Sequence, residues 1–259
     1  MSELKLAISN IAWDKADDEA VYAAMQQNGF TGLEIAPTRI FPEYPYENLT
    51  GAALFGGYLL NRWGFHVPSM QSIWYGQTGN IFDPVQAEEL LDYTAEAFQF
   101  AHTINCPSLV FGCPKNRRLD TAAEGDAFFA KAGALASHYD VVLAIEANPP
   151  VYTNYLNNTA DAFAMVKRLQ SPGLAVNLDL STMISNGERL RDFVDDIKYV
   201  SHVHISEPGL EPIVPRQEHK ELAMLLKAVG YSGDVSIEMK RTDVETVRKT
   251  LAYIAEVFA

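Results

Sequence analysis

The sequence predicts a (β/α)8 barrel, the TIM-barrel architecture, with residues 1–259 forming one domain. Eight short apolar runs, at 4–9, 32–36, 66–72, 108–112, 141–147, 174–180, 199–206 and 234–239, alternate with helical stretches. Their starts lie mostly about 30 residues apart, the length of one strand–helix unit. The chain also has 259 residues, close to the roughly 250 usual for such a barrel. An even alternation with no late block of strands or helices implies a parallel sheet closed on itself. An open doubly wound sheet is the runner-up. It usually needs a glycine-rich phosphate loop after the first strand, and Ser9-Asn10-Ile11-Ala12-Trp13 is not one.

Local signals support the elements in order. The second strand is entered through Gly29-Phe30-Thr31-Gly32-Leu33-Glu34, which echoes Gly230-Tyr231-Ser232-Gly233-Asp234-Val235 before the eighth. Glycine suits the left-handed backbone of a helix-to-strand link. His66 begins the third strand at the far end of the barrel, a structural position. Asp83-Pro84 caps the next helix, whose apolar residues Leu90, Leu91, Tyr93, Ala97, Phe98 and Ala101 follow the helical period. His102 and His138 fall at helix ends. The stretch 219–229 repeats the period through Leu222, Leu225, Leu226 and Val229, and Gly230 stops it. His219 at its start reads as a surface cap. Thr242 or Asp243 caps the last helix.

Composition excludes several classes. Twenty Lys+Arg against 33 Asp+Glu give a formal charge of −13, which opposes nucleic-acid binding. Two cysteines, Cys106 and Cys113, exclude a disulfide scaffold or a cysteine-built zinc site. No apolar run approaches the roughly 20 residues of a membrane span, so no membrane partner is expected. The start Met1-Ser2-Glu3-Leu4-Lys5-Leu6 lacks the basic-then-apolar layout of a signal peptide, and the expected location is cytoplasmic.

In a barrel of this kind the chemistry sits at the C-terminal strand ends. Alternation along the last four strands puts Glu146 and Asn148, Asn177 and Asp179, His202 and His204, and Glu238 and Lys240 on one face of their strands. Three carboxylates and a histidine gathered in a barrel mouth repel and desolvate one another, and a divalent metal relieves this most simply. The alternative is that some of them face the helices in salt bridges, or that His202 and His204 are satisfied core histidines.

The motifs Ala144-Ile145-Glu146-Ala147-Asn148, Asn177-Leu178-Asp179, His202-Val203-His204-Ile205-Ser206-Glu207 and Ser236-Ile237-Glu238-Met239 resemble the xylose-isomerase-like superfamily. Within it they are most similar to the sugar phosphate isomerase/epimerase branch that includes the ketose 3-epimerases. The resemblance covers essentially the whole chain and is strongest over 141–240. It implies a mononuclear metal held by Glu146, Asp179, His204 and Glu238, whose spacings are 33, 25 and 34 residues. Three oxygens and one nitrogen favour Mn²⁺, Mg²⁺ or Co²⁺, and admit Zn²⁺. It further implies an isomerase or epimerase of a small-molecule carbohydrate, working through an enediolate with Glu146 and Glu238 as the acid/base pair. At two positions the chain departs from that branch. Thr182 stands where relatives place a substrate-binding histidine, and Glu207-Pro208-Gly209-Leu210 lacks the arginine that ketose epimerases carry there. The metal set therefore transfers while a named sugar does not.

Other candidate substrate-binding residues are Asn10, Gln71 and Asn148 at strand ends, and Lys240. In the basic cluster Cys113-Pro114-Lys115-Asn116-Arg117-Arg118, Lys115 and Arg117 are placed to receive a phosphate or carboxylate, or else belong to a solvated loop. Trp13, Trp74, Tyr75, Tyr152 and Tyr155 fall in the strand-to-helix loops, as sugar-stacking faces or as loop packing. Glu34 can point into the barrel, but nothing in the sequence fixes its phase. Three other readings compete. One is a lyase dehydrating a keto-polyol in the same site, with His202 or Lys240 as the extra acid. Another is an abasic-site endonuclease, disfavoured by the charge and by only six histidines. The third is a barrel that only binds a ligand. The sequence leaves a homo-oligomer open.

Overall fold

The strands run parallel in the order β2-β1-β8-β7-β6-β5-β4-β3, in a computed structural model that describes residues 4–119 and 125–259. They are β1 (Lys5–Ser9), β2 (Gly32–Glu34), β3 (Ser69–Met70), β4 (Ser108–Phe111), β5 (Val142–Glu146), β6 (Leu174–Asp179), β7 (Val200–Ser206) and β8 (Asp234–Glu238). Two isolated parallel bridges, Gly32 to His66 and Ile35 to Met70, join β2 to the approach of β3 and close the barrel. The (β/α)8 fold is therefore present. The second and third strands are shorter than the expected 32–36 and 66–72. Pro68 has no N–H to give the ladder, and Ser72 turns the chain with a φ of 53°.

The helices are α1 (Asp18–Gln27), α2 (Pro37–Ile40), α3 (Leu49–Tyr58), α4 (Pro84–Thr103), α5 (Asp126–His138), α6 (Thr159–Leu169), α7 (Leu180–Asn186), α8 (Gln217–Ala228) and α9 (Val244–Phe258). Asp83 caps α4 by accepting from the N–H groups of Val85 and Gln86, and Asp243 caps α9 by accepting from Thr246. Gly29 and Gly230 have φ of 74° and 69°, which explains their matched places in the sequence echo.

Outward strand residues such as Ile8, Leu33, Leu109, Ile145, Leu178, Ile205 and Ile237 are buried against the helices, as are Val21, Phe98, Leu222 and Leu251. The inner face differs. Ser9, Glu34, Ser69, Gln71, Ser108, Asn177, His202, His204 and Ser236 are also buried. A polar interior is costly unless its groups are bonded to one another, and here most are. His219 is a correction. It lies buried in the first turn of α8 with Nδ1 3.0 Å from Tyr253 Oη, because α9 packs over it, so it is not a surface cap.

Candidate metal centre and active site

Glu146, Asp179 and Glu238 end β5, β6 and β8, and His204 lies near the end of β7. The register sets Asp179 beside His204 and Ser206 beside Glu238. Alternation then turns all four side chains to the inside, where one donor atom from each lies within 4.8 Å of the others.

His204 is the hub. Its Nδ1 stands 3.2 Å from Oε2 of Glu146 and 3.2 Å from Oε2 of Glu238. Glu146 is fixed at both oxygens: Asn177 Nδ2 donates to Oε2 at 2.7 Å, and Asn148 Nδ2 donates to Oε1 at 2.9 Å. Asp179 both ends β6 and caps α7. Its Oδ2 accepts from Ser181 Oγ at 2.7 Å, Thr182 Oγ1 at 2.7 Å and Thr182 N at 2.9 Å, while Ser206 Oγ donates to Oδ1. Thr182 is buried and holds the Asp179 carboxylate.

Beneath this layer lies a buried triad. Glu34 Oε2 accepts from Ser69 Oγ at 2.5 Å and is 2.8 Å from His202 Nε2 and 2.9 Å from His204 Nε2. Burial opposes ionisation of Glu34, yet the charge of His204 and hydrogen bonds from His202 and His204 outweigh it and hold the carboxyl well below the usual range. Burial likewise opposes the imidazolium of His204, but Glu34, Glu238 and Glu146 raise it well above an ordinary histidine. Burial pushes Glu238 up against the pull of His204, and burial with the facing Glu146 pushes Asp179 up.

These residues fit a divalent cation. Three inward carboxylates converge on a single imidazole, and two of them are driven toward the neutral acid by their surroundings. A cation among three oxygens and one nitrogen reverses that cost. Glu34 on Nε2 leaves Nδ1 as the ligand atom, the usual arrangement of carboxylate, histidine and metal.

Two cavities flank the centre. One of about 160 Å³ is bordered by Gln71, Ser72, Asn148, Glu146 and Glu238. The other, about 240 Å³, is bordered by Asn148, Tyr152, Asp179, Thr182, Leu210 and Glu238. Gln71 and Asn148 thus reach the mouth, although Gln71 Nε2 also donates to Ser9 Oγ at 3.2 Å. Lys240 is exposed and ion-paired with Glu211.

Several expectations change. Arg117 does not sit on a solvated loop open to anions. It is fully buried, and its Nη2 donates to the Glu146 carbonyl at 2.9 Å and to Asn148 Oδ1 at 2.6 Å, with the guanidinium 5.8 Å from the Phe111 ring. Lys115 is exposed on the turn Pro114–Asn116 and does not line either flanking cavity. Asn10 is buried and accepts from Ala36 N at 2.8 Å, so its carbonyl ties β1 to β2 instead of facing a sugar. Trp13 and Trp74 are core residues, and Tyr155 packs on Phe82. Glu34 and Asn177 adjoin the candidate site although sequence reasoning did not assign them to it. The alternation of β6 does signal Asn177, but two strands as short as β2 and β3 carry too little period to orient Glu34.

A family model of the xylose isomerase-like TIM barrel matches residues 22–257, and the chain belongs to that family. Among solved structures it is similar to the apo form of 3-keto-D-glucoside 4-epimerase, YcjR, from E. coli, at 16% identity and a TM-score of 0.78, covering 98% of this chain and 100% of that one. It is similar to D-psicose 3-epimerase from Clostridium cellulolyticum H10, at 14% identity and a TM-score of 0.77, covering 98% of each. A third, IOLI protein with a bound zinc atom, matches at 16% identity and a TM-score of 0.70, covering 98% of this chain and 95% of that one. No curated protein matches the chain in sequence. Among the described residues no helix is long and apolar enough to cross a membrane.

Proposed function

We propose that the protein is a metal-dependent epimerase or isomerase of a sugar or sugar derivative, moving a proton at the carbon beside a carbonyl through an enediolate. The observation that carries this reading is the pair Glu146 and Glu238, each 3.2 Å from His204 Nδ1 and each lining both cavities beside the centre. Similarity to sugar epimerases supports it at the level of fold.

Glu146, Asp179, His204 and Glu238 would hold the cation, and Mn²⁺, Mg²⁺ or Co²⁺ suit the donor set best, with Zn²⁺ admissible. A bound divalent cation supplies Lewis acidity that makes the hydrogen beside the carbonyl easier to remove. The chain's own residues do the rest. One glutamate takes the proton from one face of the sugar and the other returns one to the opposite face. Asn177 and Asn148 hold the Glu146 carboxylate in place, and Thr182, Ser181 and Ser206 hold Asp179.

Dehydration in the same site is less well supported. It needs an acid to expel hydroxide, but His202 lies below the centre on Glu34 and Ser69, and Lys240 is paired with Glu211. Incubation with D-fructose and with keto-glycosides in D₂O tests the proposal. Deuterium beside the carbonyl is expected, lost on metal removal, with full epimerisation abolished in Glu146→Gln and in Glu238→Gln. Binding with metal present but without deuterium entry or product would make a ligand-binding barrel the better reading.

A further inference from the structure

A second and larger cleft opens on the mouth and is used by none of the chemistry above. It measures about 810 Å³ and lies among the loops that follow β1, β2 and β3, with Thr38, Pro42, Tyr44, Tyr75 and Gln77 on its walls. Ser72 lines both this cleft and the 160 Å³ cavity beside Glu146 and Glu238, so the two spaces meet there. Clefts enclosing drug-sized ligands run roughly 300–1,000 Å³. Each cavity beside the candidate metal centre falls below that range, and the cleft lies within its upper part. Among these three spaces the cleft is the one that by itself has room for the bulk of a substrate larger than one sugar ring.

Its chemistry narrows the occupant. Tyr44 and Tyr75 are 73% and 71% exposed, an unusual exposure for aromatic rings on a cleft wall that nothing in the fold requires. Two residues of the cleft wall, Tyr44 and Ser72, have φ of 48° and 53°, in the left-handed region that costs a non-glycine residue energy and that clusters at ligand sites. Cys113 and Leu210, on the walls of the two smaller cavities, share that conformation, at 38° and 55°. Two guanidinium groups border the cleft, but Arg39 is bonded to Asp18 at 2.6 Å and Arg241 is paired with Asp14 at 3.3 Å. The walls therefore offer aromatic faces and neutral polar groups, which suit an uncharged ring better than a phosphate.

We propose that the cleft is a second subsite that receives the neutral substituent of a glycoside, a further sugar ring or an aryl group, while the reacting sugar lies between Glu146 and Glu238. This rests on the epimerase or isomerase reading and makes its substrate a glycoside instead of a free monosaccharide. The test is equilibrium binding, which does not require turnover. Phenyl and methyl glucopyranosides, in both anomers, are titrated into the protein supplied with MnCl₂, with saturation-transfer NMR on the phenyl protons. The phenyl glycoside is expected to bind about tenfold more tightly than its methyl counterpart, and Tyr44→Ala with Tyr75→Ala should erase the difference. Both residues are exposed, so the variants retain the fold. Equal or absent binding of the two glycosides, a preference surviving in the double variant, or tighter binding of glucose 6-phosphate overturns the proposal. A tyrosine-dependent preference without solvent deuterium entering a keto-glycoside would leave the subsite standing and remove the epimerase reading instead.

Discussion

Glu34 Oε2 lies 2.9 Å from Nε2 of His204, while the other ring nitrogen of that histidine faces Glu146 and Glu238. A residue from the second strand thus orients a candidate ligand from the seventh, and both are fully buried. The carboxylate favours the tautomer with its proton on Nε2, which frees the Nδ1 lone pair for a cation. Glu34→Gln keeps the size and removes the charge, so affinity for Mn²⁺ is expected to fall about 10–100-fold. Calorimetric titration of the metal without substrate measures this directly. An unchanged dissociation constant would reduce Glu34 to core packing.

Arg117 acts through Asn148. Burial lowers its pKa to about 10, and its Nη2 holds both the Glu146 carbonyl and Asn148 Oδ1. Arg117→Met should destabilise the protein by about 1–3 kcal/mol, as expected when a buried hydrogen-bonding group loses its partner. On the role proposed for Glu146 it should also lower kcat more than it raises KM, because the lost interaction positions the proposed base and does not bind substrate. Denaturant unfolding and steady-state kinetics check the two parts. A raised KM with stability and kcat unchanged would restore an anion-receiving role.

His219 predicts a pH dependence remote from the candidate metal centre. Burial lowers its pKa, with Arg216 acting in the same direction and Glu207 and Glu218 opposing. The unfolded chain therefore binds the proton more readily than the folded one, and stability rises with pH across that window. The contribution is fully present above the unfolded value of about 6.5 and is lost as pH falls through it toward the lowered folded value. The stability difference between the natural chain and His219→Gln should shrink as pH is lowered through this window, as followed by urea midpoints. A difference independent of pH would show that His219 is protonated equally in both states.

The sequence predicted the barrel, and its alternation together with the family resemblance named the four residues of the candidate centre. Each of β5 to β8 is long enough for alternation to show its phase, so Glu146, Asp179, His204 and Glu238 could be assigned to one side before any contact was known. Tertiary structure alone decided what surrounds them. β2 and β3 have three and two residues, too few for a period, so the inward turn of Glu34 and its bonds to two histidines depend on barrel closure. The charge of Arg117 suggested solvent, yet the path of the loop after β4 carries it beneath Asn148, and His219 was covered by a helix from the far end of the chain. Periodicity is a local property that neighbours in sequence reveal. Burial and partners are set by elements distant in sequence, which only the closed barrel brings together.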